Sequence, residues 1–154
     1  MTAGRQDAGK SRPNGPHEGP VLVWLPPLLL MAVIWFFSSQ SDLDSGLGLA
    51  DLIGRKIVHA AEYGLLCLLW WRALGTRLSP RPALAGALVL AIGYGAVDEY
   101  HQTFTPGRNG SPVDVAIDSA GAMVAAALIT RRGRRARRPG PEPERPRATA
   151  SRAR

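Results

Sequence analysis

Residues 98–118 read DEYHQTFTPGRNGSPVDVAID and set four carboxylates, a histidine, a glutamine and an arginine between two apolar runs. Ionisable groups at the edge of a bilayer are costly and mark functional positions, so chemistry is expected here. A second polar set, Lys56, His59, Glu62 and Tyr63, stands at the corresponding end of another apolar run. On a helix, positions three, four or seven apart share a face. Lys56, His59 and Tyr63 therefore lie on one stripe, with Glu62 flanking it. Asp98 and Gln102 are an i, i+4 pair with Glu99 on the neighbouring arc, and Asp114, Asp118 and Gly121 share a third face. Turned toward lipid, each charged group would cost several kcal/mol. Turned toward one another, the three faces make a hydrated pocket in which Lys56, Arg108 and His59 offset the acids.

The residue types suggest acid–base work beside an anion. Glu99 or Asp98, desolvated and near His59, is the expected general base, and Glu62 joins them as a candidate catalytic group. Lys56, Tyr63, Gln102, Arg108, Asp114 and Asp118 are the expected substrate-binding set. Arg108 sits between Pro106-Gly107 and Asn109-Gly110, two turn-forming pairs that can hold its guanidinium over the pocket. A guanidinium fork suits carboxylate or phosphate bidentately, and phosphate is what a membrane surface supplies. Asp114 and Asp118 either orient the cations or bind a divalent metal through oxygen ligands. Blander roles stand beside these. Lys56 alone is a snorkelling anchor, Tyr63 alone a packing residue, and Asp114 a complement to its helix dipole. His101 is read as facing away from Asp98 in a structural role.

These groups must be positioned by helices. The 154 residues carry a net charge of +7, and the average composition hides a partition into polar ends and a largely apolar middle. Residues 1–20 and 131–154 are rich in Gly, Pro and charge and are read as disordered tails. Residues 21–130 are read as an all-α integral membrane bundle of four transmembrane helices. The first span, 21–37, has no charge and about the length of a hydrocarbon core. Pro26 and Pro27 either kink it or mark its true start. A cleaved signal peptide is the rival reading, disfavoured because SSQSDLDS follows Phe37 in place of a small-residue cleavage site. Residues 38–54 form a loop with a short amphipathic piece around 47–53. The remaining spans are 56–71, 83–97 and 112–130, with Ser111 capping the last.

Charge sets the expected topology. The loop at 72–82 holds Arg72, Arg77 and Arg81, and the arginine-rich end after Ile129 lies on the same side. By the positive-inside rule both termini are cytoplasmic, and both polar sets are extracytoplasmic. The arginine tail serves retention and orientation, with anionic-lipid contact as an extra. No nucleic-acid partner is expected. Cys67 is the only cysteine, which excludes an internal disulfide.

The residues resemble the VanZ-like family of small multi-pass bacterial membrane proteins. The match begins with FSSQS from Phe37 and continues with Lys56, His59 and Tyr63 in K-x-x-H-x-x-x-Y. Asp98, Glu99 and Gln102 follow in DE-x-x-Q, with Pro106, Gly107 and Arg108 as PGR. Asp114, Asp118 and Gly121 close the pattern. Ala60 and Ala125 depart from it, where relatives often carry an aromatic and a glycine. The resemblance implies a polar site for lipid headgroups or lipid-linked envelope precursors, and its founding member is associated with teicoplanin resistance.

Three functions fit these readings. The first is an enzyme transferring or hydrolysing the headgroup of a phospholipid or polyprenyl-linked precursor. The second is binding of such a precursor, or of a lipophilic glycopeptide, without turnover. The third, an ion- or proton-coupled transporter, is disfavoured because the polar groups cluster at one end.

Overall fold

A computed structural model of the chain describes residues 21–40 and 49–136, with the backbone alone for 49–52. The expected tails at 1–20 and 137–154, and the loop at 41–48, lie outside the described residues. A 3-10 turn (Leu22–Trp24) leads into α1 (Leu25–Ser38), followed by α2 (Leu49–Leu74), α3 (Pro80–Gln102) and α4 (Pro112–Ala136). No strand occurs among the described residues.

Prolines punctuate the helix starts. Pro26 and Pro27 occupy the first turn of α1, so they mark its beginning and do not kink it. Pro80 and Pro112 open α3 and α4 in the same way. Ser111 caps α4 by accepting the Val113 N–H at 3.2 Å. Three helices outrun the sequence reading, α3 among them, which runs from Pro80 to Gln102 where 83–97 was expected. The amphipathic piece and the second span fuse into one α2, and α4 continues through Ala136, past the expected end at 130. Arginine is a good helix former, and Arg134 and Arg135 in the last turn complement the negative end of the dipole.

The contacts fix the direction of each helix. Trp24 meets Trp70 edge-on at 6.2 Å, which runs α1 against α2. Tyr94 donates its hydroxyl to the Met31 carbonyl at 2.6 Å and Ser38 donates to Asp98, so α1 and α3 run together. Gly64 beside Gly121 and Lys56 beside Asp114 run α2 and α4 together. The helices thus alternate up and down.

Small residues let them approach. The buried face of α3 is Ala83, Ala87, Ala91 and Gly95, then Asp98, Glu99 and Gln102. At the crossing of α2 and α4, a Cβ on Gly121 would overlap the Ala60 carbonyl oxygen and lie 2.7 Å from its carbon. A Cβ on Gly64 would stand 3.1 Å from the Gly121 carbonyl oxygen and 3.8 Å from the Ala125 Cβ. Ala60-x-x-x-Gly64 against Gly121-x-x-x-Ala125 is thus a small-residue pair on both helices, a packing used where lipid replaces water. The two departures from the motif pattern sit in this crossing.

Large apolar side chains point outward instead. Leu25, Leu28 and Phe36 on α1, Ile57 and Leu65 on α2, Val89 and Val97 on α3, and Val124 and Leu128 on α4 are all exposed. A water-soluble chain rarely shows so much contiguous apolar surface. Two helices, α3 and α4, are long and apolar enough to cross a membrane, and Leu22–Ser38 is apolar but shorter. α2 is 26 residues long but carries Arg55, Lys56, His59 and Glu62 between its first turn and just past its midpoint.

Candidate functional site

The polar faces of α2, α3 and α4 meet at one end of the bundle around a cavity of about 360 Å³. Lys56 and His59 line it from α2, Glu99 and Gln102 from α3, Asp114 and Asp118 from α4, and Arg108 from the connecting loop. The parallel run of α2 and α4 pairs them turn by turn. Lys56 Nζ forms an ion pair with Asp114 Oδ1, with about a third of each side chain exposed. One turn deeper, His59 Nδ1 lies 3.9 Å from Asp118 Oδ1. That is ion-pair range but too long for a direct hydrogen bond. Asp118 is buried, and neither of its carboxylate oxygens has a hydrogen-bond partner among the described residues. The buried His59 Nδ1 is likewise without one. Unsatisfied buried polar atoms are costly in a folded chain and call for an explanation.

Below this pair the structure is dense. Tyr63 is fully buried, and its ring fits against Gly95, where an added Cβ would stand 3.3 Å from Tyr63 Cε1 and 3.5 Å from Asp118 Cβ. Glycine at position 95 leaves room for the Tyr63 ring, which an added Cβ would meet just inside ordinary contact. Tyr63 and Asp98 do not line the cavity, nor does Glu62, which is half-buried on the flank of α2.

The α3 carboxylates hold scaffold bonds, while Asp98 Oδ1 is buried with no hydrogen-bond partner among the described residues. Asp98 Oδ2 accepts from Ser38 Oγ at 2.7 Å and from Gln102 Nε2 at 3.2 Å. Gln102 Nε2 also donates to Glu99 Oε1 at 3.2 Å, while Glu99 Oε2 accepts the Ser111 N–H at 2.9 Å. Asp98 thereby ties α3 to α1, and Glu99 ties α3 to the start of α4. One or the other had been expected as the base, and of the two Glu99 lines the cavity.

Arg108 has a double attachment. The Arg108 N–H bonds the Thr105 carbonyl at 3.1 Å, and Gly107 has φ 78, closing a turn of the type that needs glycine at its third residue. Gly110 packs so tightly on the end of α3 that an added Cβ would lie 2.7 Å from Thr103 Cγ2. Held this way, the guanidinium donates to the Gln40 carbonyl at 3.0 Å and the Phe37 carbonyl at 3.3 Å, carbonyls at and just past the end of α1. His101 turns away and stacks on Trp35, with ring centroids 3.8 Å apart.

Sequence reasoning missed Ser38, Arg55, Asn109 and Ile117. Ser38 was visible as part of FSSQS, but its partner lies 60 positions away. Arg55, Asn109 and Ile117 also line the cavity. Among the described residues, no group of three His, Cys, Asp or Glu side chains is placed to hold a metal ion. Asp114, one of the two expected oxygen ligands, is engaged by Lys56.

An apolar exterior, two helices long and apolar enough to cross a membrane and ionic groups gathered at one end are marks of a helical membrane protein. A family model described as VanZ/LLP1 matches residues 23–132, most of the chain, and the chain belongs to that family. No curated protein and no solved structure matches it.

Proposed function

We propose that all four helices cross the membrane, with both termini cytoplasmic and the cavity opening on the extracytoplasmic face. There it acts on the phosphate-bearing headgroup of a phospholipid or polyprenyl-linked envelope precursor, by transfer or hydrolysis. The alternating helix directions support the four-span reading. So does the placement of Arg72, Arg77, Arg81 and the arginines from Arg131 to Arg135 at the end opposite the cavity.

The observation that carries the chemistry is the unsatisfied His59–Asp118 pair beside Lys56 and Arg108. A carboxylate beside one imidazole nitrogen favours the proton there and leaves the other nitrogen as the base. His59 takes the proton from an attacking water or alcohol as its oxygen bonds to phosphorus. The phosphorus–oxygen bond to the leaving group then breaks, and the imidazolium returns its proton to that oxygen. Lys56 and Arg108 hold the phosphate and stabilise charge developing on its oxygens. Glu99, Gln102 and Asp98 fix the helices that present these groups.

The test is conversion of labelled phospholipid or polyprenyl-phosphate probe by the full chain reconstituted in vesicles. His59→Gln should lower product formation by about 100-fold or more. Turnover that survives this substitution would refute the proton-transfer role. One-to-one capture of a probe with no product would favour binding without turnover.

A further inference from the structure

A second pocket lies at the other end of the bundle, where α2, α3 and α4 meet again. It measures about 250 Å³ and is lined by Trp71, Leu84, Ile129, Thr130 and Gly133, with Pro80, Arg81 and Arg134 at its edge. From Asp114 to Thr130 the rise along α4 is about 24 Å, most of the roughly 30 Å of a hydrocarbon core. The two sites therefore stand at opposite membrane interfaces, and this pocket takes no part in the chemistry proposed above.

The geometry points to a binding site for the phosphate of an anionic membrane phospholipid, held by Arg81 and Arg134 above an apolar floor of Trp71, Leu84 and Ile129. Three features support this occupant. Neither Arg81 nor Arg134 forms an ion pair within the described residues, and both are exposed at the lip of the cavity. Two guanidiniums from different helices over an apolar floor fit one phosphate with the upper acyl chain beneath it. The start of α3 adds a donor. Ser79 makes no side-chain cap there, and Pro80 and Pro82 carry no N–H, which leaves the Arg81 N–H as the first-turn donor at the positive end of the helix. Gly133 keeps the entrance open, since an added Cβ would have no neighbour within 4 Å. A phospholipid is chosen over a soluble anion because the floor is apolar.

The experiment titrates the full chain in neutral detergent with phosphatidylglycerol and reads the lipid-bound fraction by native mass spectrometry. Phosphatidylcholine and inorganic phosphate are the comparison probes. One phosphatidylglycerol should be retained, and the pair Arg81→Gln with Arg134→Gln should weaken retention by about fivefold per guanidinium removed. Gly133→Leu, which changes no charge and improves helix propensity, should weaken retention by filling the entrance. It separates loss of the pocket from loss of the fold. Arg131→Gln with Arg132→Gln removes two charges outside the pocket and should stay within about twofold of the parent. Equal weakening by both arginine pairs, equal retention of phosphatidylcholine, or displacement of lipid by equimolar inorganic phosphate would each overturn the assignment.

Discussion

Gly121→Ala is the substitution that most sharply probes how the cavity is held. The new methyl would overlap the Ala60 carbonyl oxygen and stand 2.7 Å from the Ala60 carbonyl carbon, where ordinary contact begins at 3.4 Å. Both obstacles are backbone, so no side chain can turn aside, and α2 and α4 must part by roughly 1 Å. Overpacking costs about 1–3 kcal/mol, and a backbone-on-backbone clash belongs at the upper end. A gap of that size also forfeits a quarter to a half of the dispersion energy along the interface. The same separation lengthens the His59–Asp118 approach from 3.9 Å and pulls Lys56 from Asp114, because all lie on the same two helices. Two nearby glycines calibrate the result. At Gly64 an added Cβ meets the Gly121 carbonyl oxygen at 3.1 Å, so alanine there should cost less than about 1 kcal/mol. At Gly133 it meets nothing, so alanine should stabilise by up to about 1 kcal/mol through helix propensity. The assay is unfolding of the full chain in mixed micelles by increasing SDS, followed by tryptophan fluorescence. If all three alanines stabilise alike, propensity alone governs and the close crossing is wrong.

Other expectations concern the bonds that seat α1 and the ionic pair. Ser38→Ala removes a donor from the buried Asp98 carboxylate and should cost about 1–3 kcal/mol in the same unfolding assay. Tyr94→Phe deletes the hydroxyl bond to the Met31 carbonyl and should cost about 1 kcal/mol, with no loss of headgroup turnover. Arg108→Lys keeps the charge but cannot reach the Gln40 and Phe37 carbonyls as a fork. Limited proteolysis should then cut the end of α1 several times faster. Lys56→Met should destabilise by about 1 kcal/mol or more by stranding Asp114, and adding Asp114→Asn should restore part of that loss. A double-mutant cycle in the micelle assay measures the coupling.

Much of this arrangement was legible from spacing. Lys56 with His59, and Asp114 with Asp118, each advance one turn, so two parallel helices bring them opposite each other in pairs. Ser111 as a cap placed the start of the last helix at position 112, whereas the start of α3 at Pro80 lay within the expected loop at 72–82. What spacing did not reveal was the division of labour among carboxylates. Asp98 and Glu99 are neighbours in sequence, yet one turns to Ser38 on α1 and the other to Ser111 before α4. Those partners are distant along the chain or lie on the backbone, and neither leaves a periodic trace. Glu62 belongs to the same polar cluster in sequence, but it sits on the flank of its helix and stays outside the cavity. Helix length was misjudged for a related reason. Hydropathy tracks the apolar core of α4, while its helical hydrogen bonds and arginine-rich last turn carry it through Ala136.

The central proposal is that the polar cavity among α2, α3 and α4 opens on the extracytoplasmic face. The most direct measurement is thiol labelling of His59→Cys in intact cells with a membrane-impermeant maleimide. The native Cys67 is fully buried and should stay unlabelled in the parent chain. A cysteine at position 59, on the cavity wall, is predicted to label before the cells are permeabilised. Labelling only after permeabilisation, or only in denaturant, would contradict the account.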